Sequence, residues 1–133
     1  MKVNIEVELS VQDMMDLLCT AFEGGVNYWV TSVKGLGGDT GKLPEGRTKI
    51  EHEYEWLAIG GMLEMTISGE DKTVLYLSQD NLQKGLQEWI YRNSVQVYYD
   101  GARRDTALDL SIIDAGDADE IVQFALFGKL VFG

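Results

Sequence analysis

A change of hydrophobic period at Ser10 constrains this chain more than any other feature. Val3, Ile5, Val7 and Leu9 alternate with Asn4, Glu6 and Glu8, the period of two shown by a strand with one buried face. Beyond Ser10, the residues Val11, Met14, Leu18 and Phe22 fall at helical spacing, with Asp13, Asp16, Thr20 and Glu23 on the opposite face. Ser10 and Asp13 are the residue types of a helix N-cap and its first turn. Gly24-Gly25 is expected to end the helix, because glycine takes the left-handed C′ conformation without steric cost.

The rest of the chain repeats this alternation of strand and helix signals. Val26, Tyr28 and Val30 alternate with Asn27, Trp29 and Thr31, which predicts a second strand over Val26 to Val33 with a large aromatic on each face. The pattern stops at Lys34. From there to Lys49 the chain holds Gly35, Gly37, Gly38, Gly41 and Gly46 and the only proline, Pro44, and reads as a long exposed loop or hairpin tip. Strands are predicted over Ile50 to Leu57, Met62 to Ser68 and Thr73 to Leu77, the last two joined by a turn at Gly69 to Lys72. Ser78 is placed to cap a second helix with Leu82, Leu86, Trp89 and Ile90 inward, ending near Asn93. Val95, Val97 and Tyr99 suit a short strand or extended excursion before the polar turn Asp100 to Asp105. Asp114 to Asp117 opens a third helix, acid-rich where the helix end is partly positive. Its core face is Ile121, Val122, Ala125 and Leu126, and Gly128 stops it before a terminal strand at Lys129 to Phe132. The expected fold is α+β: one antiparallel sheet of about five or six strands, with three helices packed mainly on one face.

A chain of 133 residues makes a single domain, 1–133, large enough to bury a core. The formal net charge of −11 argues against direct binding to a nucleic-acid backbone, which needs a basic footprint. The 45% hydrophobic content excludes an acidic disordered tail. With one cysteine, Cys19, and one histidine, His52, neither an intramolecular disulfide nor a thiolate zinc site is expected, and the chain reads as intracellular. The start, Met1-Lys2-Val3-Asn4, lacks a signal peptide's apolar stretch, and no run approaches a membrane span.

Local motifs nominate little chemistry. Gly38-Asp-Thr-Gly-Lys42 resembles a phosphate-cradling loop, but Leu43 stands where that pattern needs Ser or Thr and no helix follows. Lys34, Lys42, Arg47 and Lys49 still make this segment a candidate ligand lid. Asp114, Asp117, Asp119 and Glu120 suit helix capping better than a cation, because the calcium-loop spacing is absent. His52 lies among Glu51, Glu53 and Glu55 and reads as a surface residue, and Cys19 as a small core hydrophobe. No Ser-His-Asp or Cys-His arrangement is nominated, so an enzyme is the weaker class and no cofactor is expected. Tyr28, Trp29, Tyr54, Trp56, Trp89, Tyr91, Tyr98 and Tyr99, beside Arg92, Arg103 and Arg104, are residue types that stack on bases and pair with phosphates, although most are expected to pack.

Two segments carry a resemblance: Glu23-Gly24-Gly25-Val26-Asn27-Tyr28-Trp29, and Asp114-Ala-Gly-Asp-Ala-Asp-Glu-Ile-Val-Gln-Phe-Ala-Leu-Phe-Gly128 with Phe132-Gly133. Together they resemble a family of small proteins encoded by bacteriophages and prophages, generally without an assigned function. The resemblance implies a viral accessory protein made in a bacterial cytoplasm, and no catalytic residue. The expected role is binding, as an antagonist of antiviral defence. One mechanism is acidic inhibition of a CRISPR or other nucleic-acid-binding effector, with Glu51, Glu53 and Glu55 on one strand face at about 6.6–6.8 Å per step. Another is sequestration of a nucleotide defence signal in a pocket of Trp29, Trp56, Arg103 and Arg104 at a subunit interface of a homo-oligomer. A structural, assembly or regulatory role in the virus is the alternative.

Overall fold

The computed structural model describes residues 1–3, 5–69, 71–94, 97–102 and 105–133. The Ser10 hydroxyl accepts the Asp13 N–H at 3.0 Å while the Asp13 carboxylate accepts the Ser10 N–H at 3.0 Å, and this reciprocal cap starts helix α1, Val11–Thr20. Met15, Leu17 and Leu18 are buried, with Val11, Met14 and Phe22 half-buried against them. The helix then widens into a π-helical turn, Ala21–Gly25. Neither Gly24 nor Gly25 adopts a positive φ, so the expected left-handed stop is absent. Gly25 serves close approach instead: a Cβ there would collide with the Ala115 carbonyl oxygen.

Strand β1 is Val30–Leu36, later than expected, because Val26 to Trp29 form a turn in which the Trp29 and Val30 amides both donate to the Val26 carbonyl at 3.0 and 2.9 Å. It pairs antiparallel with β2, Met62–Ile67, and β2 pairs antiparallel with β3, Val74–Leu77. Val33 lies opposite Met65, and Leu63 opposite Leu77; these side chains face the core. The outward row is Lys34, Glu64 and Tyr76, with the Tyr76 hydroxyl donating to Glu64 at 3.1 Å.

Helix α2 is a single turn, Glu55–Ala58. It replaces the strand expected over Ile50 to Leu57, because the amides of Glu51 and His52 turn inward to the Glu55 carboxylate at 2.7 and 3.0 Å. Helices α3, Gln79–Asn93, and α4, Ala115–Phe127, carry the expected caps at Ser78 and at Asp114 with Asp117. They pack on each other through the Asn81 side-chain amide to the Ala125 carbonyl (3.3 Å) and the Arg92 guanidinium 4.9 Å from the Phe124 ring centroid.

Between them, β4, Val97–Asp100, and β5, Asp105–Leu108, form a separate antiparallel pair. Among the described residues there are thus four α-helices and two antiparallel sheets, of three and two strands, in place of one larger sheet and three helices. Two further expected strands do not form. Among the described residues, 1–3 and 5–10 carry no strand; the Glu8 amide donates to the Thr106 carbonyl at 3.4 Å, Val7 and Leu9 pack on the core, and Val3 and Ile5 remain 73% and 64% exposed. Lys129 to Phe132 is not a strand either, because the Val131 and Phe132 amides bond a side chain, that of Gln123. Among the described residues no helix is long and apolar enough to cross a membrane.

Candidate functional site

The segments Glu23–Trp29 and Asp114–Gly133 pack on each other around Asp119. The Tyr28 hydroxyl donates to its carboxylate at 2.6 Å, the Trp29 indole N–H at 2.7 Å and the Gln123 side-chain amide at 3.0 Å. Asp119 and Gln123 are both buried, and such hydrogen bonds to a charged group are stronger than neutral ones. The Gln123 carbonyl in turn accepts the Val131 and Phe132 amides, each at 2.8 Å, so the C-terminal strap lies over Trp29. There Phe132 stacks on the indole with centroids 4.8 Å apart, and Phe127 tilts against it at 5.9 Å. Burial, with the bond to Asp119, pushes the Tyr28 phenol up to about 12. The sequence signal for this junction was two polar residues, Asp119 and Gln123, four apart on the apolar face of α4.

A second cluster surrounds Tyr54. Phe22, Tyr54 and His52 form a ring stack, with centroids 6.1 and 5.2 Å apart and planes within 12° and 5°. Cys19 and the Tyr54 hydroxyl both donate to Glu23, at 2.6 and 3.0 Å. These donors hold the Glu23 carboxyl below its ordinary range. The Glu23 carboxylate pushes the Cys19 thiol up, which keeps it neutral and a poor nucleophile. Burial, then contact with Cys19 and Glu23, pushes the Tyr54 phenol up. Asp16, Glu23, Glu51 and Glu53 are exposed, as is His52. The arrangement offers exposed carboxylates to an arginine or lysine side chain.

The residues nominated from sequence are dispersed. Glu51, Glu53 and Glu55 do not form a carboxylate face. Glu55 is 5% exposed and accepts from Arg47 at 3.0 and 3.1 Å. Burial works against its charge, but Arg47 and the two amides outweigh that and hold its carboxyl below the ordinary range. Arg47 also lies 3.6 Å from Glu51, so this side chain anchors the glycine-rich segment and is not a free lid cation. Trp29 is 1% exposed with its N–H engaged by Asp119, which leaves no face for a ligand. Trp56 is half-buried beneath the same glycine-rich segment, and a Cβ on Gly35 would collide with its indole. Arg103 and Arg104 lie outside the described residues. His52 is exposed, as expected, whereas Cys19 is half-buried and hydrogen-bonded.

Asp114 and Asp117 exchange hydrogen bonds with each other's amides at 2.8 and 3.1 Å, as a helix cap, and among the described residues no group of three His, Cys, Asp or Glu side chains is placed to hold a metal ion. A shallow cleft of about 270 Å³ opens at the start of α3, between Leu36, Gly60 and Gln79. No protein-family model, curated protein or solved structure matches the chain.

Proposed function

We propose that the chain is a viral accessory protein that acts by binding, in the bacterial cytoplasm, and that it antagonises antiviral defence by occupying the basic nucleic-acid site of an effector protein. The viral origin rests on the resemblance of the Glu23–Trp29 and Asp114–Gly133 segments. The observation that carries the mechanism is the exposed Glu23 carboxylate on Tyr54 of the Phe22–Tyr54–His52 stack, with the exposed Glu51 and Glu53 flanking His52 in sequence and Asp16 exposed on α1. The 22 Asp and Glu residues outnumber the 11 Lys and Arg residues, and the resulting net charge of −11 steers a basic partner. Relative to the expectation of a flat ladder, Glu55 drops out because Arg47 neutralises it, and Asp16 and Glu23 take its place.

The test is protection of a targeted phage in a host with an active CRISPR system. The intact chain is expected to restore plaques, and Asp16→Lys with Glu51→Lys and Glu53→Lys to abolish protection while the circular-dichroism spectrum is kept. Equal protection by the triple variant rejects this mechanism. Absence of protection, with the chain present in purified virions, replaces the reading with virion assembly.

A further inference from the structure

We propose that residues 129–133 are an autoinhibitory latch: they lift off the rest of the fold as a unit and uncover a ready-made seat for a turned peptide segment that carries an aromatic side chain. This inference is independent of the functional reading above. The latch hangs on one side chain. Among the described residues, every hydrogen bond of 129–133 goes to Gln123, whose carbonyl oxygen accepts the Val131 and Phe132 amides, each at 2.8 Å, and whose amide donates to the Phe132 carbonyl at 3.3 Å. Phe132, stacked on Trp29 with centroids 4.8 Å apart, is half-buried; its neighbours Leu130 and Val131 are 50% and 49% exposed. These few bonds and one ring only narrowly offset the entropy lost in ordering the segment. A segment so sparsely held opens well before the fold does.

The seat keeps its shape without the latch. The Tyr28 hydroxyl, the Trp29 indole N–H and the Gln123 amide all donate to Asp119, and none of these bonds involves 129–133. Gly128, in the left-handed conformation at φ 71°, ends α4 with its own bond to the Phe124 carbonyl at 3.0 Å, so the helix end survives and Gly128 serves as the hinge. When the latch lifts, the Gln123 carbonyl oxygen loses both of its donors and turns to water. The covered face of Trp29 becomes a flat apolar surface beside Phe127.

The latch itself shows what the seat accepts. One oxygen that receives two successive N–H groups requires a turned backbone, because successive residues of a strand face opposite sides. An ordinary extended strand therefore does not fit. The aromatic requirement comes from Trp29 and Phe127, which both pack against the Phe132 ring. A partner segment with these two properties competes with 129–133, and its apparent affinity falls in proportion to the small fraction of chains in which the latch is open.

Amide hydrogen exchange and an NMR titration of the full chain test the proposal. In the wild type, the Val131 and Phe132 amides are expected to exchange at least about a hundredfold faster than the amide of Val122 in α4, at a rate that low urea does not change, as local opening requires. Phe132→Ala is expected to keep the Trp29 indole N–H resonance, because Asp119 still holds it. This variant is expected to bind the synthetic peptide acetyl-Lys-Leu-Val-Phe-Gly at least about tenfold more tightly than the wild type does, and not to bind the same peptide with alanine in place of phenylalanine. Exchange at Val131 and Phe132 as slow as at Val122 overturns the proposal. So does a Phe132→Ala chain that unfolds, that fails to bind the peptide, or that binds it no better than the wild type.

Discussion

Asp119 gathers donors from two segments about ninety residues apart inside a shell of Trp29, Phe127 and Phe132, whereas β4 and β5 hold each other through a four-residue ladder that leaves Tyr98 and Tyr99 exposed. At the junction each polar atom depends on a neighbour from elsewhere in the chain, so a single truncation strands several donors. In the β4–β5 pair, Ala107 and Leu108 are buried but the two tyrosines of β4 are not. The contrast separates a region that specifies the fold from one that leaves large aromatic side chains in solvent, and the Glu23–Trp29 and Asp114–Gly133 segments are each other's packing surface.

The largest effect is expected from Asp119→Ala. It leaves the buried Trp29 indole N–H without its acceptor and takes from the Gln123 amide its shortest bond, at a cost of about 3 kcal/mol. Urea denaturation should show a lower midpoint with an unchanged slope. If the loss is no larger than for a surface substitution, the junction is not what holds the two segments together. Gly25→Ala comes next, at about 2 kcal/mol, because its methyl group forces α4 away from the π-helical turn. Gly24→Ala is the matched control: its Cβ would meet only Ala115 Cβ at an ordinary 3.6 Å.

Glu55→Gln carries the comparison to the glycine-rich segment. It weakens the bonds from Arg47 and from the Glu51 and His52 amides by about 2 kcal/mol at neutral pH. The carboxyl sits below its ordinary value of 4.5 in the folded chain. Its stabilisation is therefore fully present above pH 4.5 and is lost as pH falls through the lower folded value. The stability difference between wild type and Glu55→Gln is expected to shrink across that acid window. A difference independent of pH there would mean that packing, and not the charge, fixes this turn.

What was legible in the sequence was what is local. The caps at Ser10, Ser78 and Asp114 and the turn at Gly69 to Lys72 specify their elements within a few residues, and α1, α3, α4 and the β2–β3 hairpin follow. The glycine pair after α1 marked a real end for the wrong reason, since only tertiary structure shows the Ala115 carbonyl against Gly25. Alternation misled twice. Over Ile50 to Leu57 it cannot show that a carboxylate will pull two amides inward, and over Val3 to Leu9 it cannot show whether the apolar face finds a sheet. The candidate site was less legible than the fold, because Trp29 and Trp56 have the residue type of a ligand pocket but face internal partners. Asp119 with Gln123 was the readable clue, as a polar pair on an apolar helix face.

The smallest expected effect sharpens the comparison from the other side. Val3 and Ile5 alternate as strongly as any strand in the chain, yet both are mostly exposed, and one long backbone bond from Glu8 ties the segment to β5. Val3→Ser with Ile5→Ser removes little buried area in the single chain, so it is expected to shift the unfolding free energy by less than about 0.5 kcal/mol. The same denaturation curves that register Asp119→Ala measure it. A loss of 2 kcal/mol or so would mean that the segment buries its apolar face in solution, against β5 or a second copy, and that the hydrophobic alternation describes the assembled protein more faithfully than the isolated chain.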